Sequence, residues 1–349
     1  MATECSTSRR NFLKTSLIGG SAAVVAWRLP SARGREMAGA FKSRFTSRVA
    51  LTTGNDRVNM AFKALEPFKT EIAAAIGDKR VILKPNNVMI NNPLCATHAD
   101  NLEGILEFLR SIDKKNVVIA ESPANGSALA GFANYGYNKF VGRYGVKLLN
   151  LDTQGYEVAY CIDQKDFQPH PCRVSKVILD PNNFIISAAK LKTHELVGVT
   201  LSLKNIVVGS GIKDSSFWSE KSDKPLIHGG GPHGINYNLF TLSAKLHPDL
   251  AVIDGYEGME GSGPINGTPV EQRVCVASMD WLAADRVGAA LMGVDISKIG
   301  YLTYCTRAGD RGEGDLSKIE IVGPAIKDVA KSYKMPGTWE QITSWQLPA

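Results

Sequence analysis

Short apolar runs that stop abruptly at polar clusters recur along this chain, with stretches of helical period between them. Val81-Ile82-Leu83 gives way to Lys84-Pro85-Asn86-Asn87, and Val117-Val118-Ile119-Ala120 to Glu121-Ser122-Pro123. Between these runs Leu102, Ile105, Leu106 and Leu109 recur at helical spacing. An unbroken apolar run is what a strand needs when both of its faces are covered, so the pattern predicts a parallel sheet between layers of helices. A glycine-bearing helix over 132–144 and a strand over 146–151 continue the alternation. Further strands are predicted over 174–179, 184–188, 250–253 and 274–277, with helices over 239–245 and 281–292. Residues 156–177 read as a β-rich excursion. The class is therefore α/β: a mainly parallel sheet flanked by helices, with a β-rich insertion and either one lobe or two. At 349 residues the chain has enough apolar material for such a body, and no Pro- or Ser-rich linker divides it, so 41–349 is taken as one domain.

The first forty residues have a different character. Ser8-Arg9-Arg10-Asn11-Phe12-Leu13-Lys14 precedes a weakly apolar run over 17–27, then Ala38-Gly39-Ala40. Adjacent arginines, a short apolar core containing Gly19 and Gly20, and a small-residue triplet are the pattern of a twin-arginine export signal. A membrane span takes roughly 20 apolar residues, more than this run provides, so no permanent membrane span is expected. The expected location is periplasmic or secreted, with export of the folded chain by the twin-arginine machinery. Folded export suits proteins loaded with a cofactor beforehand.

Charge bears on the partner. The formal charge is +6, but 1–40 contribute six Lys and Arg against two Glu, which leaves 34 against 32 in the body. A nearly neutral body argues against nucleic acid, which needs clustered cations. The six cysteines, Cys5, Cys95, Cys161, Cys172, Cys275 and Cys305, are all too widely spaced for a ferredoxin-type or zinc-knuckle ligand pair, so no iron-sulfur cluster is expected. Cys161 and Cys172 are either a hairpin disulfide or two buried thiols.

In open α/β sheets, ligands sit beyond the carboxyl ends of the strands. Four polar clusters occupy such positions. Lys84 and Asn86 follow the first strand, Glu121 the second, Lys190, Lys192, Thr193 and His194 the 184–188 strand, and Asp254 the 250–253 strand. With Thr200, Lys204 and Asn205, the lysines and amides form a donor-rich set suited to a small anionic ligand, a carboxylate or phosphate. His194, Lys204 and Lys192 are the candidates for chemistry, His194 as acid/base or metal ligand. His228 and His233 flank three glycines in a stretch predicted to be a flexible loop, and with His194 they form a candidate metal set. Glycines among Asp254, Glu257 and Glu260 predict a tight loop whose carboxylates face a cation or a hydroxyl. The cofactor is open between a divalent metal and a nucleotide-type group. No G-x-S-x-G, H-E-x-x-H or phosphate-loop motif occurs. A solute- or metal-binding protein without catalysis is the alternative to an enzyme.

The series Lys84-Pro85-Asn86, Lys190-Leu191-Lys192-Thr193-His194, Leu203-Lys204-Asn205, Asp254-Gly255, Met259-Glu260, Gly263-Pro264, Gly267-Thr268-Pro269 and Asp285 resembles the domain of unknown function 362 family over about 79–295. Some members of that family carry a ferredoxin-type segment, which this chain lacks. His194, Gly198, Lys204 and Gly209 are also similar in spacing to a motif of lactate racemase-like enzymes. Those enzymes bind a nickel-pincer nucleotide and move a hydride on 2-hydroxy acids, and the similarity implies that His194 and Lys204 serve a cofactor or proton transfer.

Overall fold

The computed structural model describes residues 45–346. The twin-arginine stretch lies outside the described residues. Eleven strands are present among them: β1 (Ser47–Thr53), β2 (Arg80–Pro85), β3 (Val117–Glu121), β4 (Lys147–Asn150), β5 (Tyr156–Ile162), β6 (Pro169–Ser175), β7 (Asn183–His194), β8 (Gly198–Thr200), β9 (Leu250–Glu260), β10 (Thr268–Ser278) and β11 (Ile319–Val322). Nine form one sheet in the order β11-β1-β10-β9-β7-β2-β3-β4, with β8 paired to β7. From β9 through β7, β2 and β3 to β4 every pairing is parallel, whereas β10 runs antiparallel to both of its neighbours. The α/β reading holds, and the β-rich excursion is a separate antiparallel ribbon of β5 and β6.

Alternation explains the unbroken apolar runs. Val81 and Leu83 pack on one face of the sheet and Ile82 on the other, and Val117 and Ile119 oppose Val118 and Ala120 in the same way. The helices Arg57–Leu65 and Ala99–Ser111 cover the first face with Met60, Leu65, Leu102, Ile105 and Leu109. Ser202–Gly209, Pro232–Leu242 and Trp281–Leu291 cover the second with Leu203, Ile206, Leu239 and Leu282. Two cores with a sheet between them require side chains at consecutive strand positions to be apolar.

Several predicted elements differ. The 254–260 stretch is strand, not loop: β9 pairs with β10 from Ala251 opposite Ser278 to Glu260 opposite Thr268. Its glycines mark close approach, since a Cβ at Gly258 would lie 2.0 Å from Tyr333 Oη and one at Gly255 2.7 Å from Val274 Cγ2. The His228 to His233 stretch is a packed turn and not a flexible loop. Gly229 and Gly230 adopt φ of 57° and 72° between the helices Lys224–His228 and Pro232–Leu242, and a Cβ at Gly234 would meet Gly229 O at 2.0 Å. The 239–245 helix accordingly begins at Pro232, whose fixed φ suits a first turn. The 174–179 strand ends at Ser175, and Lys176–Leu179 is a helical turn that buries Val177 and Ile178. Finally, 132–144 holds two helices, Ala128–Asn134 and Lys139–Tyr144.

Candidate functional site

A cavity of about 500 Å³ opens where β2 and β3 end, closed on its other sides by the helix Ser202–Gly209, the turn around His228 and the segment carrying Phe217 and Trp218. Lys84, the penultimate residue of β2, is 1% exposed. Its ammonium donates to Glu121 Oε1 at 2.5 Å, Asn205 Oδ1 at 3.1 Å and the Pro85 carbonyl at 3.0 Å. Glu121, the last residue of β3, also accepts from the backbone amides of Asn87 and Ser122 at 2.9 and 2.8 Å. Asn205 ties strand to helix: its Nδ2 donates to Lys84 O and Ser187 Oγ, and its Oδ1 accepts from Asn86 Nδ2 at 3.0 Å. Burial pulls the Lys84 pKa below its ordinary value, and Glu121 opposes that shift. In this corner Lys84, Glu121 and Asn205 form a paired network that fixes the floor of the cavity.

The opposite wall is cationic without such pairing. Lys204, in the first turn of Ser202–Gly209, lines the cavity and is 5% exposed. Burial lowers its pKa to about 7, helped by Lys192 and Lys224. Lys224 donates to Val208 O at 3.1 Å, and burial lowers it to about 7 as well. Neither has a carboxylate within ion-pair distance among the described residues, in contrast to Lys84 with Glu121 and Lys213 with Asp152 at 3.0 Å. Asp285, buried on Trp281–Leu291, accepts from the amides of Ser202 and Leu203 at 2.7 and 3.0 Å and so anchors the helix that presents Lys204. Burial raises its own pKa to about 7.

Two imidazoles complete the site. His194 closes β7 and His228 closes its helix, with ring centroids 6.2 Å apart. His194 Nδ1 accepts from the Leu196 amide at 3.1 Å, which places its proton on Nε2 when the ring is neutral. His228 Nδ1 lies 2.7 Å from the Lys224 carbonyl and must donate, which leaves the lone pair on Nε2. Burial, followed by the Lys204 charge, holds His194 well below its ordinary pKa and His228 at about 3. Three buried polar atoms on or beside the cavity have no partner: Asn86 Oδ1, Asn87 Nδ2 and Thr200 Oγ1. Each costs free energy unless a ligand or water satisfies it.

The structure thus brings Lys84, Asn86, Glu121, His194, Thr200, Lys204, Asn205 and His228 to one cavity. It separates the others. Lys192 points its ammonium at the Cys95 carbonyl, 2.8 Å away, and burial lowers its pKa to about 8. Lys190 lies beside Asp254 in the β7–β9 register, and Asp254 approaches Arg57 at 3.5 Å. Thr193 donates to Gly261 O at 2.9 Å, Glu260 accepts from the Lys334 amide at 2.8 Å, and Glu257 is exposed opposite Glu271. The reason for the separation is that β7 continues six residues past its predicted end, so part of that polar cluster is ordinary strand interior. The metal set is likewise not assembled: His233 is absent from the cavity lining, and no three His, Cys, Asp or Glu among the described residues are grouped to hold an ion. Cys161 and Cys172 are free buried thiols in contact at 2.9 Å. Lys224, Phe217 and Trp218 escape the strand-end rule, because they reach the cavity from the helix Lys224–His228 and from the irregular segment before it.

The model of the family described as domain of unknown function 362 matches residues 81–290, which contain every polar group of the cavity named above. The chain belongs to this family. Within the domain of unknown function 362, it is similar to a thylakoid-associated protein of Synechocystis, at 28% identity over 233 residues, which is 66% of this chain and 68% of that protein. A crystal structure of a Thermotoga maritima protein aligns over 69% of this chain and 60% of its own length, with 12% identity and a TM-score of 0.41. No helix among the described residues is long and apolar enough to cross a membrane.

Proposed function

We propose that this member of the family is an exported enzyme, carried folded by the twin-arginine route to the periplasm or beyond, that binds a small anionic ligand or cofactor in the cavity. The observation that carries this reading is the pair of buried ammonium groups, Lys204 and Lys224, that have no carboxylate partner and face a space containing unpartnered amide and hydroxyl atoms. Burying a cation without a counter-charge is costly, and an anion entering the cavity removes that cost. Lys84, Asn86 and Asn205 orient the ligand's floor side, and Lys224 faces its anionic group. His194 and Lys204, whose protons move near neutral pH or below, are the groups for chemistry. A space of about 500 Å³ accommodates a nucleotide-sized anion. The spacing shared with lactate racemase-like enzymes supports roles for the same two side chains.

The test is native mass spectrometry with elemental analysis on protein purified from its own host. A stoichiometric adduct that disappears in His194→Ala, with the fold intact by circular dichroism, supports the reading. A bare polypeptide that also fails to bind phosphate or a dicarboxylate by calorimetry overturns it. Ligand recovered chemically unaltered after incubation would leave a binding protein in place of an enzyme. For export, Arg9→Lys together with Arg10→Lys is expected to hold the precursor inside the cell, as seen by fractionation.

A further inference from the structure

The cavity lysines differ in what surrounds them. Lys84 has three acceptors and Lys224 has the Val208 carbonyl, whereas Lys204 has neither a hydrogen-bond acceptor nor an ion-pair partner among the described residues. It is nevertheless almost fully buried, and it sits in the first turn of a helix, where the macrodipole opposes a positive charge. A lysine needs acceptors to stay charged in such a place, and without them the free amine is favoured. Beside it stand two neutral imidazoles of opposite tautomer, one presenting N–H and the other a lone pair. All three groups line the same cavity, and the two rings lie 6.2 Å apart. Apolar side chains of Leu196, Val208 and Phe217 share the lining and limit water.

The geometry points to Lys204 as a nucleophilic amine that condenses with the carbonyl group of an anionic aldehyde or 2-oxo acid held in the cavity. This rests on the reading that the cavity admits an anion, and it adds the chemical class of that anion. The amine lone pair attacks the carbonyl carbon and forms a C–N bond. His194 Nε2–H hydrogen-bonds the oxygen, and His228 Nε2 carries two protons in turn from the nitrogen to it, the first giving the carbinolamine and the second letting the hydroxyl depart as water to leave a C=N bond. One carbonyl and one amine give one imine and one water, so no oxidant or reductant takes part. The depressed pKa of Lys204, about 7, agrees with this assignment but is not its basis.

The experiment uses the purified chain with glyoxylate and sodium cyanoborohydride near neutral pH, followed by peptide mass mapping. Phosphate serves as an unreactive competitor, and its own binding is measured by calorimetry. Lys204 is expected to be labelled faster than the exposed Lys245 by on the order of tenfold or more, because a buried amine without acceptors is neutral far more of the time near pH 7 than an exposed lysine. Phosphate is expected to slow that labelling. Lys204→Arg should remove the adduct from this peptide and leave labelling elsewhere unchanged. If phosphate binds but Lys204 reacts no faster than Lys245, the imine assignment is wrong while the anion site stands. Preferential labelling that phosphate neither slows nor accompanies by binding would keep the amine and overturn the anion reading. Equal labelling with no phosphate binding overturns both.

Discussion

Lys84 and Lys204 are both buried ammonium groups, yet deleting them should have opposite consequences. Lys84→Met strips Glu121 of its counter-ion and leaves a carboxylate that is 2% exposed, a change expected to cost about 3–5 kcal/mol in urea unfolding. Lys204→Met removes a cation without acceptors, so stability should stay within about 1 kcal/mol or rise, while affinity for phosphate falls. Calorimetry and denaturation on the same two variants check both statements. The pH dependence follows from the same groups. Lys204 and Lys224 titrate at about 7, below the ordinary 10.5, so the folded state holds fewer protons than the unfolded one between those values. Stability of the ligand-free protein therefore rises with pH from about 7 towards 10.5. Anion affinity runs the other way, falling as pH climbs past about 7, because the charges that attract the ligand are lost. Thermal melts and phosphate titrations across that interval should show opposite slopes.

Among elements, the helix Ser202–Gly209 matters most, since it brings Lys204 and Asn205 to the cavity and meets β2 at its last turn. Gly209 permits that meeting: a Cβ there would lie 2.3 Å from both Cε and Nζ of Lys84. The lysine tip cannot swing aside, because three hydrogen bonds pin it. Gly209→Ala is thus expected to cost about 1–3 kcal/mol, the range for overpacking a filled interior, and to weaken anion binding by breaking the Lys84 network. Urea midpoints and phosphate calorimetry measure the two effects. The β5–β6 ribbon supplies a second element-scale expectation. Cys161 and Cys172 stand on its two strands with sulfurs 2.9 Å apart, and both are buried. A mild oxidant should remove these two thiols together from alkylation mapping while the buried Cys95, Cys275 and Cys305 remain thiols.

Across the whole molecule, the cavity is assembled from residues as distant in sequence as Lys84 and Ile265, and its rim carries Trp218, which is 81% exposed and stacked edge-on to Phe217 at 4.6 Å. Ligand entry should cover this indole, so its emission is expected to shift to the blue with phosphate or glyoxylate, and Trp218→Phe should abolish the signal. The sequence by itself determined the sheet-and-helix class, because a strand covered on both faces leaves an unbroken apolar run whatever it packs against. It also determined the strand-end positions of Lys84, Asn86 and Glu121, which follow directly where such runs stop. Tertiary structure decided which cations face the cavity. Lys190 and Lys192 have the same local sequence signal as His194, but β7 pairs onward through them, and pairing depends on β9 some sixty residues away. Glycines in β9 looked like turn residues and are close-contact residues, a difference set by Tyr333 and Val274 in distant segments. Lys224 carries no local signal at all: what makes it matter is burial without a counter-charge, and burial is a property of the packed chain.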